Sequence, residues 1–99
     1  VLCSYQELSA CTALLQKIGG QLTATVFADD LTAIAPSLLF QLQTQVGRLI
    51  FNGIPTGVRV LETMHHGGPY PASSDARFSA VGPDSIKRFT KEVCFQQHF

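Results

Sequence analysis

Two short apolar runs decide the fold: Gln21-Leu22-Thr23-Ala24-Thr25-Val26-Phe27-Ala28 and Arg48-Leu49-Ile50-Phe51-Asn52. Threonine, valine and phenylalanine favour strand, and the first run carries apolar residues on both faces. A strand buried on both sides is what a parallel sheet produces. Between the two runs, Leu31 to Val46 is apolar at helical spacing through Leu38, Leu39, Leu42 and Val46. Asp29-Asp30 ends the first strand and can cap that helix. Pro36 interrupts the helical pattern: either the helix kinks there, or Pro36 opens it and residues 30–35 are a lead-in. Gly47 closes it.

Working toward the amino end, Ser4-Tyr5-Gln6-Glu7 reads as a capping box, with serine at the cap and glutamate three residues on. Leu8, Cys11, Leu15 and Ile18 then recur at three- and four-residue steps, with Leu14 beside them, as one face of a helix. Lys17 suits its last turn and Gly19-Gly20 its left-handed exit. Val1-Leu2-Cys3 reads as a strand. The fold class expected is therefore α/β, a β-α-β-α-β parallel-sheet unit with right-handed crossovers. Ligands of such sheets lie outside the carboxyl ends of the strands. A chain that opens inside a strand, with Met64 its only methionine, is expected to be a piece of something longer.

Beyond Asn52 comes a long run rich in glycine and proline, to Ser73, holding His65 and His66. Loops of this size between patterned elements are usually functional. Val58 to Met64 mixes strand and helix formers and is expected to be irregular or a short helix. Gly67 to Ser74 should be extended loop, Asp84 to Thr90 a short helix with Asp84 as cap, and Glu92 to Gln96 a terminal strand.

Composition narrows the function classes. The 99 residues suffice for one small domain, and 45% are hydrophobic, enough to build a core. Seven basic residues balance seven acidic ones, with no basic block, which argues against nucleic acid. A near-neutral surface suits a piece that docks on something. No run of roughly 18 apolar residues marks a membrane span, and no signal peptide opens the chain. Cys3, Cys11 and Cys94 are odd in number and lack metal spacing, which fits a reducing, cytoplasmic setting. Cys3 and Cys11 fall in apolar patterns and Cys94 on the terminal strand, so all three read as buried thiols.

As chemistry, Cys94 with His66 could be posed as a nucleophile and base of a small hydrolase, against the reading of Cys94 as a core thiol. His65 and His66 make a poor zinc pair, because adjacent histidines rarely point at one ion. No glycine-rich phosphate loop is present, so neither a metal site nor a cofactor site is expected within the chain. Asp29-Asp30 fits a helix cap better than paired acids. His66 is the best polar candidate. Imidazole as a side-chain type can take up or give a proton near neutral pH, and Gly67-Gly68 beside His66 leave the backbone open to a ligand. The alternative is that His66 bonds to loop backbone and holds the turn.

The segment Gly47 to Gln96 resembles the C-terminal part of aldehyde dehydrogenases, most like the NADP-dependent and α-ketoglutaric semialdehyde branch. The residues that carry the resemblance are Gly47-Arg48-Leu49-Ile50-Phe51-Asn52-Gly53, Pro55-Thr56-Gly57-Val58 and His66-Gly67-Gly68-Pro69-Tyr70-Pro71-Ala72-Ser73. Ser79 to Gly82, Ser85-Ile86-Lys87-Arg88-Phe89, Val93 and Phe95-Gln96 follow in order. Residues 1–46 match more loosely, through Gly20-Gln21-Leu22-Thr23-Ala24-Thr25. The resemblance implies oxidation of an aldehyde to a carboxylate with NAD or NADP. In that chemistry a cysteine thiolate attacks, hydride passes to the nicotinamide, and a glutamate-activated water releases the acid. It implies that this cysteine, the glutamate and the dinucleotide domain lie upstream, so the chain alone should bind no cofactor and turn over no aldehyde. It further implies a substrate-pocket loop of Asn52, Pro55, Thr56, Gly67, Gly68 and Pro69, with His66 as an auxiliary catalytic group. Residues 1–91 then belong to the catalytic domain, and residues 92–99 form a strand and tail that join a homo-oligomer. The rival is a stand-alone docking or oligomerisation module without catalysis. Which aldehyde is used, and NAD versus NADP, stay open at this stage.

Overall fold

Strand β1 (Gln21–Val26) and strand β2 (Val46–Phe51) pair in parallel, with Gln21 opposite Val46, Thr23 opposite Arg48 and Val26 opposite Phe51. The computed structural model describes residues 1–55, 57 and 61–97. Helix α1 (Leu8–Ile18) precedes β1, and helix α2 (Pro36–Gln45) makes the crossover to β2. The expected α/β class and the parallel pairing are both present.

Local chemistry explains the joints. Gly19 leaves α1 at φ 77°, the left-handed region that glycine enters at no steric cost. Asp30 caps a 3-10 turn at Leu31–Ala33, its carboxylate accepting from the Thr32 amide at 2.8 Å and the Thr32 hydroxyl at 2.6 Å. These bonds to the ionised form hold the Asp30 carboxyl below the ordinary carboxylate range, the Thr32 hydroxyl contributing most. Pro36 is the first residue of α2, so residues 30–35 are a lead-in and no kink is needed. α2 runs straight into β2, and Gly47 lies inside that strand.

Two glutamines tie the helices together. Gln41 donates to the Thr12 carbonyl at 2.8 Å, and Gln45 to the Leu15 carbonyl at 2.6 Å and the Gly19 carbonyl at 3.3 Å. The last turn of α1 leaves carbonyls without partners, and Gln45 satisfies that of Leu15 together with that of the C-cap Gly19.

Several expectations are corrected. Val1-Leu2-Cys3 and Glu92-Val93-Cys94-Phe95-Gln96 form no strand, so the sheet has two strands among the described residues. A strand is held by a neighbour's ladder, and neither segment has one within reach. The cap of α1 is Glu7 without a side-chain bond, and Ser4 is not at the helix start. Residues 1–7 are exposed, so helix begins only where the apolar face begins. Pro83–Phe89 is a 3-10 helix capped by Gly82 at φ 83°; Asp84 lies in its first turn, paired with Lys87 at 3.0 Å. Cys3 and Cys94 are exposed and Cys11 half-buried, so none is a core thiol. Of the irregular segment expected over residues 58–64, Val58 to Val60 lie outside the described residues, and Met64 bonds back to Leu61 in a turn.

The chain buries little of its own apolar surface. Leu42, at 5% exposure, is the one buried hydrophobic residue among those described. Phe27 and Phe40 remain 70% and 71% exposed, and the strand residues are only half-buried. The accessible surface is 8146 Å². A compact chain of this mass exposes about 5,500 Å². The radius of gyration is 17.5 Å, where about 13 Å suits a compact chain of this length. Large exposed apolar surface marks sites of interaction, ligand grooves or association-prone faces.

Candidate functional site

The candidate residues divide between the two ends of the sheet. At the carboxyl end, Asn52 follows β2 with φ 49°, a left-handed conformation asparagine tolerates better than most residues. Its amide side chain pairs with the Ala28 backbone in both directions. Nδ2 donates to the Ala28 carbonyl at 2.9 Å, and Oδ1 accepts from the Ala28 amide at 2.8 Å. The Asn52 amide also donates to the Val26 carbonyl at 2.9 Å. Asn52 thus continues the parallel ladder past its last residue and closes the sheet at the rim. A shallow groove lies there between Phe27, Ala28, Asp29 and Asn52. Pro55 follows on the exposed loop. Thr56 lies outside the described residues.

This geometry makes a checkable claim. Asn52→Ala removes both bonds to Ala28 and should cost about 1 kcal/mol, since the site is solvent-exposed. Asn52→Asp should cost at least as much, because a carboxylate would face the Ala28 carbonyl with no donor. Urea unfolding of the two variants beside the parent measures both.

Gly67, Gly68 and Pro69 lie at the opposite end. Gly67 and Gly68 are buried. A Cβ on Gly47 would overlap the Gly67 carbonyl, one on Gly20 would overlap the Pro69 and Tyr70 carbonyls, and one on Gly68 the Gln21 carbonyl. Gly20, Gln21 and Gly47 mark the amino ends of β1 and β2. The loop therefore leaves the carboxyl rim at Asn52 and doubles back along the sheet. Gly67 lies against Gly47, which precedes Asn52 by five strand residues, a rise of about 17 Å along β2. The loop starts at the rim, as its position after β2 implies, and its double-glycine part packs as a brace against the amino ends of the strands. The turn after the brace closes with the Ala72 amide donating to the Pro69 carbonyl at 2.8 Å, and the Ser73 hydroxyl donating to the Gly68 carbonyl.

His66 is half-buried and fixed through its backbone. Its amide donates to the Ser79 hydroxyl at 3.0 Å, and its carbonyl accepts from the Ala80 amide at 2.8 Å. It lines a cleft of about 300 Å³ with Leu22, Asp75, Phe78 and Arg88. Asp75 is engaged elsewhere: its carboxylate accepts from Arg77 at 2.6 Å. The hydrogen bonds from the Arg77 side chain hold its carboxyl down to about 2. His65 turns its imidazole over Gly67. No group of three metal-ligating side chains converges among the described residues. No helix among them is long and apolar enough to cross a membrane.

Sequence reasoning missed Ser79. It is 2% exposed, the one buried polar side chain described, and its hydroxyl also donates to the Val81 carbonyl at 2.6 Å. The available signal was its setting, a lone hydroxyl between Phe78 and Ala80-Val81.

Compared with known proteins, these residues are similar to a segment of two alpha-ketoglutaric semialdehyde dehydrogenases. The alpha-ketoglutaric semialdehyde dehydrogenase of Acinetobacter baylyi is 52% identical over 84 residues, 83% of this chain and 16% of that protein. The alpha-ketoglutaric semialdehyde dehydrogenase 2 of Azospirillum brasilense is 44% identical over 92 residues, 92% of this chain and 18% of that protein. The chain thus spans about a sixth of the length of these curated relatives. No protein-family model matches it.

Proposed function

We propose that these residues are part of an NAD(P)-dependent aldehyde dehydrogenase that oxidises an aldehyde to a carboxylate. The substrate proposed is α-ketoglutaric semialdehyde, the compound in both relatives' names. The observation that carries this reading is 52% identity over 84 residues, a span that takes in most of the sheet and loop. In this reading Asn52 and Pro55 form part of a wall of the aldehyde pocket at the carboxyl rim, and Thr56 belongs to that pocket by the resemblance. Gly67, Gly68 and Pro69 brace the loop from behind. His66 is carried as an auxiliary group on the resemblance alone, since it precedes the double glycine at the amino ends of the strands and lines a cleft separate from the rim groove. Residues 92–99 join a second copy as an added strand in a homo-oligomer. The support is that residues 92–97 are exposed and outside the sheet, with Phe95 94% exposed. The setting proposed is the cytoplasm, on the grounds of three cysteines without disulfide spacing.

The described residues do not fit a dinucleotide. β1 leads through Phe27-Ala28-Asp29-Asp30 to the next helical turn, an acidic and glycine-free connection that would repel a pyrophosphate. The cofactor, the attacking thiolate and the activating glutamate are therefore assigned to other parts of the polypeptide, and no step is routed through them here. Without those parts the same exposed apolar surface would describe a docking module, the second reading.

The test is to express the complete reading frame containing these residues and follow nicotinamide reduction with α-ketoglutaric semialdehyde. Turnover with NAD or NADP is expected, with kcat/KM about tenfold lower in His66→Ala. A complete polypeptide that reduces neither cofactor with any semialdehyde would reject the dehydrogenase reading. An unchanged kcat/KM in His66→Ala would reject the role of His66 alone.

A further inference from the structure

The buried Ser79 hydroxyl makes three hydrogen bonds. It accepts from the His66 amide at 3.0 Å and the Val81 amide at 3.3 Å, and donates to the Val81 carbonyl at 2.6 Å. The next residue completes the grip, the Ala80 amide donating to the His66 carbonyl at 2.8 Å. Both polar backbone groups of His66 are thereby tied to one short segment. We infer that Ser79 is the positioning residue for His66: it fixes the peptide that carries the imidazole and so fixes where the imidazole enters its cleft.

Three observations support this over general packing. Ser79 is 2% exposed, so water cannot replace its bond to the His66 amide. A serine side chain is too small to contribute much apolar burial, so its value at a buried position is its hydroxyl. The residue after His66 allows no compensating shift. A Cβ on Gly67 would already fall 2.8 Å from the Phe78 carbonyl, and Gly67 itself is pressed on Gly47. The segment from Phe78 to Val81 therefore presents a backbone wall to Gly67 and a hydroxyl anchor to His66.

The inference rests on the proposed role of His66 for its kinetic consequence, while its structural part can be read separately. In the complete polypeptide, Ser79→Ala leaves the His66 and Val81 amides without their partner. The expected effect is about a tenfold fall in kcat/KM for the semialdehyde. In a His66→Ala background the same change should cost less than about twofold, because residues acting through one another are not additive. Hydrogen–deuterium exchange on peptides spanning His65 to Gly68 should rise about tenfold in Ser79→Ala. Exchange over Gln21 to Val26 should stay at the parent's level. Unchanged exchange at His66 overturns the inference. So does an equal kinetic cost in both backgrounds, or a rise in exchange that extends across β1. A wild-type kcat/KM in His66→Ala with faster exchange at His66 in Ser79→Ala would instead reject the catalytic role of His66 and leave the clamp standing.

Discussion

Expressed alone, residues 1–99 should turn over no aldehyde and bind no dinucleotide, whereas the complete polypeptide should do both if the proposed function holds. The expected gap is on the order of a million-fold in turnover, the scale of losing a nucleophile. Two features of the chain lead to this. Its cysteines stand apart from any candidate site: Cys3 and Cys94 are on exposed, unpaired ends and Cys11 is on α1. Its one strand-to-helix connection is acidic where a pyrophosphate needs glycine and open amides. The isolated chain should also associate with itself or with hydrophobic surfaces, given how much of Phe27 and Phe40 it exposes. Equilibrium binding of NAD and NADP and a turnover assay at high protein concentration check the claim. Measurable oxidation of any aldehyde by residues 1–99 would defeat it.

The second large effect concerns Gly47. It lies within β2, where glycine is usually a weakness because it adds no side chain and loses more chain entropy. Here the missing side chain is the point of contact. The Gly67 backbone lies where a Cβ would be, and backbone cannot swing aside as a flexible side chain would. Gly47→Ala should therefore cost about 3 kcal/mol or more, either by prising the loop from the sheet or by bending β2. Gly57→Ala, in the loop that follows β2, is the control: among the described residues nothing lies within 4 Å of its Cβ position. That change should stay within about 0.5 kcal/mol of the parent. Urea unfolding of the complete polypeptide separates the two. Equal stability of the two variants would mean that the loop does not press on the sheet as described.

How much was legible in the sequence follows the range of the forces. The two strands were legible because Leu22 to Phe27 and Leu49 to Phe51 favour extended chain through their own residues. The cap at Asp30 and the start at Pro36 are equally local, set within two or three residues. Val1–Cys3 and Glu92–Gln96 looked like strands for the same local reason, but a strand also needs a neighbour, and propensity does not supply one. The glycines at 20, 47 and 68 were visible as residues, yet their purpose was not, since no local pattern says which distant backbone will press on them. The same holds for Gln41 and Gln45, whose partners lie about thirty residues earlier. His66 stood out by type and by family resemblance. Ser79, thirteen residues on, could be found only once the chain had folded back on itself.

The central claim is that these residues build a wall and a brace of a dehydrogenase whose reactive thiol lies elsewhere in the polypeptide. Its most direct test is the complete polypeptide with Cys3→Ser, Cys11→Ser and Cys94→Ser combined, assayed for semialdehyde oxidation after confirming its fold. The account predicts kcat within about twofold of the parent, with an alkylating reagent still abolishing activity through a cysteine outside residues 1–99. A folded triple variant without turnover would place the nucleophile inside this segment and contradict the account.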